Sequence, residues 1–154
     1  MEIDVVLQER YWYPDDGGEV WVAGYQLVDA EGRYLPRDAA ELADAGLHVA
    51  GVAGAGRHHA DALQSEHAAP GRPLRLRRDP ANEFDVNAIA VDTEAGEPLG
   101  FVPRELAAEL APRLDDGEPW SALVLREQRA SPRDPRTGLT MLLAPADVLT
   151  LRQR

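Results

Sequence analysis

The chain has 154 residues, of which 44% are hydrophobic and 28% charged, a composition typical of one globular domain with its own core. Because it contains no cysteine, disulfides, thiolate catalysis and cysteine-based zinc sites are excluded. The net charge is −11 and all 16 basic residues are arginine, which argues against general coating of nucleic acid but leaves a small local site open.

The first 45 residues predict two strands and a short helix. In chain order the predicted elements are a strand at 2–8, a turn at 14–18, a strand at 19–28, a hairpin turn at 29–32 and a helix at 36–46. This segment holds three arginines against 11 acidic residues. We expect residues 1–45 to form a β-rich extension that packs on the rest of the chain through Trp12, Trp21 or Tyr25.

The rest of the chain predicts further short strands around one longer helix. The strands are expected at 47–53, 72–78, 87–92, 98–102, 120–127 and 139–144, with weakly helical or irregular chain at 54–71 and a polar loop at 130–138. The helix begins with Pro103 at its first position, and Pro112 should kink or shorten it. We expect residues 46–130 to form the main domain and residues 131–154 to complete it.

Many short strands, two or three short helices and no strand–helix–strand alternation predict a mainly β fold, either a small barrel or a sandwich. No apolar run approaches the roughly 20 residues of a membrane helix. The start, "MEIDVVLQER", has acids where a secretory signal carries basic residues. We therefore expect a cytoplasmic protein without a membrane partner.

The densest polar stretch is "RRDPANEFDVNAIAVD", at 77–92. Its oxygen-bearing side chains are Asp79, Asn82, Asp85 and Asn87, but the register and the glycine of a calcium-binding loop are missing. Aspartate and asparagine also cap their own backbone in turns. The residues by themselves favour a turn over a metal site.

The other candidate sites lack the residue types or spacing that their chemistry requires. The clustered histidines His58, His59 and His67 have no helical spacing and no fourth zinc ligand. No serine stands in a Gly-x-Ser-x-Gly motif, "GVAGAGR" lacks the Lys-Ser/Thr of a phosphate-binding loop, and no carboxylate pair is singled out. We expect no enzymatic activity, no metal and no cofactor.

In "RPLRLRR" the arginines Arg75 and Arg77 alternate with Leu74 and Leu76. The arginine face is either a solvated surface paired with nearby acids or a short strip that contacts an anion.

Three stretches in this order resemble a HIRAN domain over about residues 46–128: "HVAGVAGAGRHH", "GRPLRLRRDPANEFDVNAIAV" and "GEPLGFVPRELAAELAPRLDDG". That family is named for the amino-terminal region of helicase-like repair proteins and also occurs as a stand-alone bacterial protein. The resemblance implies a modified OB-like barrel of six strands with two helices. The expected fold is therefore a small OB-like or SH3-like β-barrel with an N-terminal β extension.

The resemblance also implies a function, because helicase-linked members bind the 3′-hydroxyl end of single-stranded DNA. Carried over to this chain, Phe84 would stack on the terminal base, where the family has tyrosine, and Asp85 would accept a hydrogen bond from the 3′-hydroxyl. Asn82 would hold the loop. His48 stands on the first strand, where DNA-binding members carry aromatic and basic residues.

Arg75, Arg77 and Arg104 are the expected phosphate contacts. The expected partners are a single-stranded DNA end and a helicase or nuclease protein, in DNA repair or replication-fork processing. Asn87 is expected to hydrogen-bond the loop backbone, and Ile89 and Val91 to fill the core. The alternative is a protein–protein interaction module that keeps the fold and has lost end binding, as the acidic first segment suggests.

Overall fold

The computed structural model describes residues 2–13, 20–55, 59–131, 133–146 and 150–153. The strands in these ranges are β1 (Glu2–Tyr13), β2 (Val20–Val28), β3 (His48–Gly51), β4 (Pro73–Arg78), β5 (Ile89–Thr93), β6 (Pro98–Phe101), β7 (Trp120–Arg129), β8 (Arg136–Pro145) and β9 (Thr150–Gln153). The helices are α1 (Ala40–Asp44), α2 (Ala60–Leu63) and α3 (Arg104–Asp115), with a 3₁₀ turn at Glu66–Ala68.

The prediction of a mainly β fold with short helices is confirmed. The details differ at a few places. Strand β1 runs on to Tyr13, β8 already begins at Arg136 within the predicted polar loop, and β9 was not predicted. Helix α3 continues through Pro112 to Asp115, and Pro103 is its N-cap rather than its first residue. The predicted turn at 14–18 lies outside the described residues.

Strand β7 is the centre of the sheet because both of its edges are used. Strand β8 pairs with one edge along nearly the whole length of β7. The other edge is divided between two partners: β4 pairs beside Ala122 and Leu123, and β2 pairs further along, from Arg126 to Arg129. Strand β2 continues the sheet outward to β1, and β9 adds to β1 in parallel.

Six strands form a barrel-like circuit in the order β3–β8–β7–β4–β5–β6. The ladder of strands is open between β3 and β6, but a bridge between Ala53 and Phe101 joins the chain after β3 to β6. In this bridge, each residue donates its N–H to the carbonyl of the other, at 2.8 Å and 2.9 Å. The six-stranded arrangement thus agrees with the expectation from the resemblance.

The core has two parts, separated by the sheet of β7 and β8. One cluster fills the circuit and includes Ile89, Val91 and Met141, all fully buried, so the core prediction for Ile89 and Val91 is confirmed. The second cluster lies between β1, β2 and α1 and the outer face of β7 and β8, where Leu125 and Leu142 are buried. Neighbours along β7 and β8 therefore point alternately into the two clusters, because side chains alternate across a strand.

Residues from the first 45 supply much of this second cluster, and Tyr25 packs against it. The side chain of Trp12 lies outside the described part of the structure. The division into an extension, a main domain and a closing segment stays a prediction. No helix in the described ranges combines the length and apolar character that a bilayer crossing requires.

Candidate nucleic-acid interface

The loop at 79–88 joins β4 to β5, and Asn82 fixes its shape. The N–H of Asp79 donates to the carbonyl of Ala88 at 2.9 Å, which closes the base of the loop. The Asn82 Oδ1 accepts hydrogen bonds from the N–H groups of Phe84, at 2.9 Å, and Asp85, at 3.1 Å. Its Nδ2 donates to Asp79 Oδ2 at 3.1 Å. The side chain of Asn82 therefore serves the loop backbone, as the carried-over role requires.

The two oxygens of the Asp85 carboxylate have different surroundings, one within the loop and the other toward the surface. Its Oδ1 accepts from the N–H of Asn87 at 2.9 Å, which holds the carboxylate in one orientation. Its Oδ2 lies 4.0 Å from Arg104 Nε, and the side chain is 20% exposed. One oxygen is thus structural, whereas the other can accept a hydrogen bond from a ligand.

Arg78 clamps the end of the same loop. Its guanidinium donates to the carbonyls of Ala88, at 2.7 Å, and Val86, at 3.1 Å, and pairs with Asp115 of α3 at 2.9 Å. Asn87 takes part in this arrangement through its backbone N–H, which donates to Asp85 Oδ1, while Arg78 bonds the carbonyls on either side of it. A bond from the Asn87 side chain to the loop backbone stays a prediction. Arg78 follows Leu74 and Leu76 at every second position, which is the signal that it points inward.

Two apolar side chains flank Asp85 at the surface. Phe84 is 81% exposed and Val86 is 65% exposed. Among the described residues only Tyr34 is a further exposed large hydrophobic. Exposed apolar surface therefore lies on both sides of Asp85 along the loop. Val86 did not stand out in the sequence, because a single valine between polar residues carries no pattern.

The three predicted phosphate contacts have different environments. Arg77 donates to Asp92 on the neighbouring strand at 3.0 Å, and this hydrogen bond and the charge of Asp92 raise the pKa of Arg77. Arg75 is exposed and forms no ion pair with any described residue, and Arg104 is 81% exposed beside Asp85. Arg75 and Arg104 are thus more available to a phosphate than Arg77, whose guanidinium is already shared with Asp92.

Helix α3 separates the loop from a groove on its other flank. Arg104 lies beside Asp85 of the loop, and Asp115 pairs with Arg78 at the end of β4. These two helical residues project within about 20° of each other because successive helical residues are about 100° apart. Leu106, Glu109 and Arg113 line the groove and project about 160° away from that direction.

His48 lies in this groove and not beside the loop. Its ring packs on Trp120, with centroids 5.9 Å apart and planes tilted by 32°. No residue of the 79–88 loop lines the groove in the described part of the chain. The structure therefore brings Asn82, Phe84 and Asp85 together and leaves His48 on the opposite flank of α3, so its proposed part in end binding stays a prediction.

Burial lowers the pKa of His48 below its ordinary value of 6.5, with a smaller opposing effect of Glu109 and a further lowering by Arg113. The unfolded chain therefore binds a proton at this group more readily than the folded chain. We expect the free energy of unfolding to fall as the pH drops below 6.5 toward the folded-state pKa. Urea unfolding at several pH values between about 7.5 and 5.5 measures this loss. The loss should be smaller in His48→Gln, and an unchanged pH dependence in that variant would contradict the prediction.

The remaining histidines lie elsewhere. His67 contacts Arg72, at 2.9 Å, and Glu94, at 3.5 Å, near the start of β4. His59 is the N-cap of α2, and His58 lies outside the described residues. Within the described ranges, no three histidine, aspartate or glutamate side chains are close enough to hold a metal ion.

The fold and the loop define a small, barrel-like binding module with an exposed aromatic–carboxylate loop. The family model of the HIRAN domain matches residues 47–136. The chain belongs to the HIRAN-domain family, whose domain is a nucleic-acid-binding module and is not itself catalytic.

Two solved structures are similar to this chain. The HIRAN domain of human HLTF is 24% identical, with 67% of this chain and 79% of that chain covered and a TM-score of 0.47. A protein from Lactobacillus plantarum is 21% identical, with 62% of this chain and 91% of that chain covered and a TM-score of 0.46. No curated protein matches the chain.

Proposed function

We propose that the chain binds the 3′-hydroxyl end of single-stranded DNA at the loop that contains Asn82, Phe84 and Asp85. The observation that carries the proposal is the different surroundings of the two Asp85 oxygens. One is fixed by the N–H of Asn87, and the other lies toward the surface beside an exposed Phe84. Such an arrangement offers a flat apolar ring and a hydrogen-bond acceptor on adjacent residues of one loop.

In this proposal Phe84 stacks on the terminal base, which is worth about 1 to 3 kcal/mol per base in single-strand binding. Asp85 Oδ2 accepts the hydrogen bond of the 3′-hydroxyl. A 3′-phosphate at the same position would place two like charges in contact, which disfavours binding. Asn82 keeps both groups in place through its bonds to the backbone of Phe84 and Asp85.

Phosphate contacts are few in this proposal. Arg104 and Arg75 are exposed, whereas the loop itself carries Asp79, Glu83 and Asp85. With two phosphates neutralised, the logarithm of the binding constant should fall with the logarithm of salt concentration with a slope of only about −1.4. A module of this kind reads a DNA end and does not coat a strand.

The test is a fluorescence titration with short oligonucleotides that end in a 3′-hydroxyl or a 3′-phosphate. We expect the hydroxyl end to bind about tenfold more tightly or better, because only the phosphate meets the Asp85 charge. Asp85→Asn removes that charge and should abolish the discrimination. Equal affinities of the two ends for the natural chain, or retained discrimination in Asp85→Asn, would remove the role of Asp85.

Phe84→Ala should weaken binding of either end by about tenfold or more, since the stacking surface is lost. Tyr34→Ala is the matched control, because Tyr34 is an exposed aromatic in the N-terminal segment, outside the loop. Loss of affinity in both variants, or in neither, would contradict stacking at Phe84.

By its family, we infer a role in DNA repair or replication-fork processing, with a helicase or nuclease as protein partner. A protein-interaction module is the second candidate, favoured by the scarcity of unpaired arginine around the loop: Arg77 is held by Asp92, and Arg78 by Asp115. Absence of binding to every oligonucleotide at low salt would favour this second role.

A further inference from the structure

The groove on the second flank of α3 has a volume of about 430 Å³. Its walls are residues 37–47, strand β3 and helix α3. This volume falls within the range of about 300 to 1,000 Å³ that is typical of ligand sites. The wall that contains Arg37 precedes residue 47, where the match to the HIRAN family begins.

Strand β3 presents an unpaired edge along this groove. On its ladder with β8, the N–H of Val52 donates to the carbonyl of Leu139 at 3.0 Å. Because bonding alternates along an antiparallel strand, every second residue faces β8, whereas Val49 and Gly51 direct their N–H and carbonyl groups away from it. Ala53 follows the same alternation and pairs with Phe101.

The outward groups before that bridge lack a strand partner. The Val49 carbonyl accepts a hydrogen bond from Arg37 Nη2 at 3.1 Å. The N–H groups of Val49 and Gly51 and the carbonyl of Gly51 have no hydrogen-bond partner among the described residues. Beyond the bridge, β6 ends and α3 begins, so β3 is flanked by a helix and a gap instead of a strand.

We propose that this groove binds an extended peptide, which adds as a strand to the free edge of β3 and lies against α3. Strand addition of this kind satisfies the unpaired backbone groups of both chains and reads alternate side chains of the peptide. The proposal is independent of DNA-end binding, because the groove and the loop lie on opposite flanks of α3.

The charges of the groove define the peptide further. When a peptide N–H takes the Val49 carbonyl, Arg37 is released beside the added strand. Arg113 stands on the α3 wall, half exposed and with one guanidinium nitrogen 4.0 Å from Glu118. Two guanidinium groups favour a carboxylate, as they carry donors and no acceptor. Asp38 and Glu109 also line the groove and disfavour a second acid. The occupant is therefore an extended peptide with one carboxylate near Arg37.

A second folded copy of the chain fits this edge less well than a peptide does. A strand added to β3 lies about 4.8 Å away, and the next strand of a folded partner would lie another 4.8 Å or so further out. The α3 wall of the groove, with Leu106, Glu109 and Arg113, stands on that side of β3. A single extended chain has no such second strand.

The test uses the full chain labelled with ¹⁵N and acetylated peptides of about eight alternating Val and Thr residues with a central Glu, Gln or Lys. We expect the Glu peptide to shift the amide resonances of Val49 and Gly51 and to slow their hydrogen exchange. The same peptide N-methylated at alternate residues should not bind, since it cannot pair with an edge. The Lys peptide should bind about fivefold more weakly or worse, and the Gln peptide should lie between them.

Arg37→Gln separates pairing from charge, and Arg133→Gln is the matched control on an exposed arginine that does not line the groove. In Arg37→Gln the preference for Glu over Gln peptide should fall at least about threefold, whereas Arg133→Gln should keep it. If no peptide shifts Val49 and Gly51, Arg37 only covers the edge and the proposal fails. Equal binding of the N-methylated peptide, or an unchanged preference in Arg37→Gln, would also overturn it.

Discussion

Replacing Gly100 with alanine is expected to lower the free energy of unfolding by about 3 kcal/mol, because the added methyl group overpacks the closure of the six-stranded circuit. A Cβ at Gly100 would lie 2.3 Å from the carbonyl oxygen of Ala53 and 3.0 Å from Val52 Cγ1. The Ala53 carbonyl accepts the N–H of Phe101 in the bridge between the segment after β3 and β6. The backbone of Ala53 cannot move away from the methyl group without breaking that bridge.

Gly51→Ala is the matched control for this prediction. A Cβ at Gly51 would meet nothing closer than the Leu139 carbonyl oxygen, at 3.8 Å, which is ordinary contact. Urea unfolding of the two variants measures the difference, and Gly51→Ala should stay within about 0.5 kcal/mol of the natural chain. If the two variants were equally stable, the close approach of Gly100 to Ala53 would not exist in solution.

The sequence predicted most of the barrel because its strands carry local signals. Alternation of Leu and Arg located β4 with the correct faces, and Ile89 and Val91 were placed correctly in the core. The loop was predictable for the same reason, since asparagine and aspartate bond their own backbone over two or three residues. Asn82 and Asp85 do so here.

Long-range pairing was not predictable. Strand β9 pairs with β1 from the far end of the chain, and no local pattern specifies a partner so distant in sequence. The pairing of Arg77 with Asp92 depends on the register of β4 against β5, which places Asp92 opposite Arg75. Sequence alternation shows that Arg77 points outward, but it does not show which acid is beside it.

The surroundings of His48 were not predictable from the sequence for a related reason. Its strand was predicted. The side of α3 on which this strand lies, however, depends on how the helix packs across the barrel. The resemblance carries a role in DNA-end binding over to both His48 and the loop, whereas helix α3 lies between them in space.

Replacing Arg78 with methionine is expected to lower the free energy of unfolding by about 2 to 3 kcal/mol and to weaken the binding of DNA ends. Methionine keeps the apolar stem but loses the bonds to the carbonyls of Val86 and Ala88 and the pair with Asp115. The carbonyl of Val86 accepts no other hydrogen bond among the described residues. Without the Arg78 guanidinium, the segment after Asp85 is no longer linked to Asp115 of α3.

Arg77→Met is the matched comparison, because it removes a neighbouring arginine whose ion pair is more exposed. The Arg77 side chain, which pairs with Asp92, is 59% exposed. An exposed pair contributes at most about 1 kcal/mol, so this variant should lose less stability than Arg78→Met. Hydrogen exchange of the amides from Asp85 to Ala88 should quicken in Arg78→Met alone.

Two separate outcomes follow from the same pair of variants. Faster exchange in the loop together with weaker binding of 3′-hydroxyl ends would mean that a fixed Asp85 is required for end recognition, since the binding groups themselves are unchanged. Faster exchange with unchanged binding would remove preorganisation of the loop from the proposal and leave the stability prediction intact. Equal unfolding free energies of Arg77→Met and Arg78→Met would contradict the clamp itself, because the number of bonds to Arg78 would then have no energetic consequence.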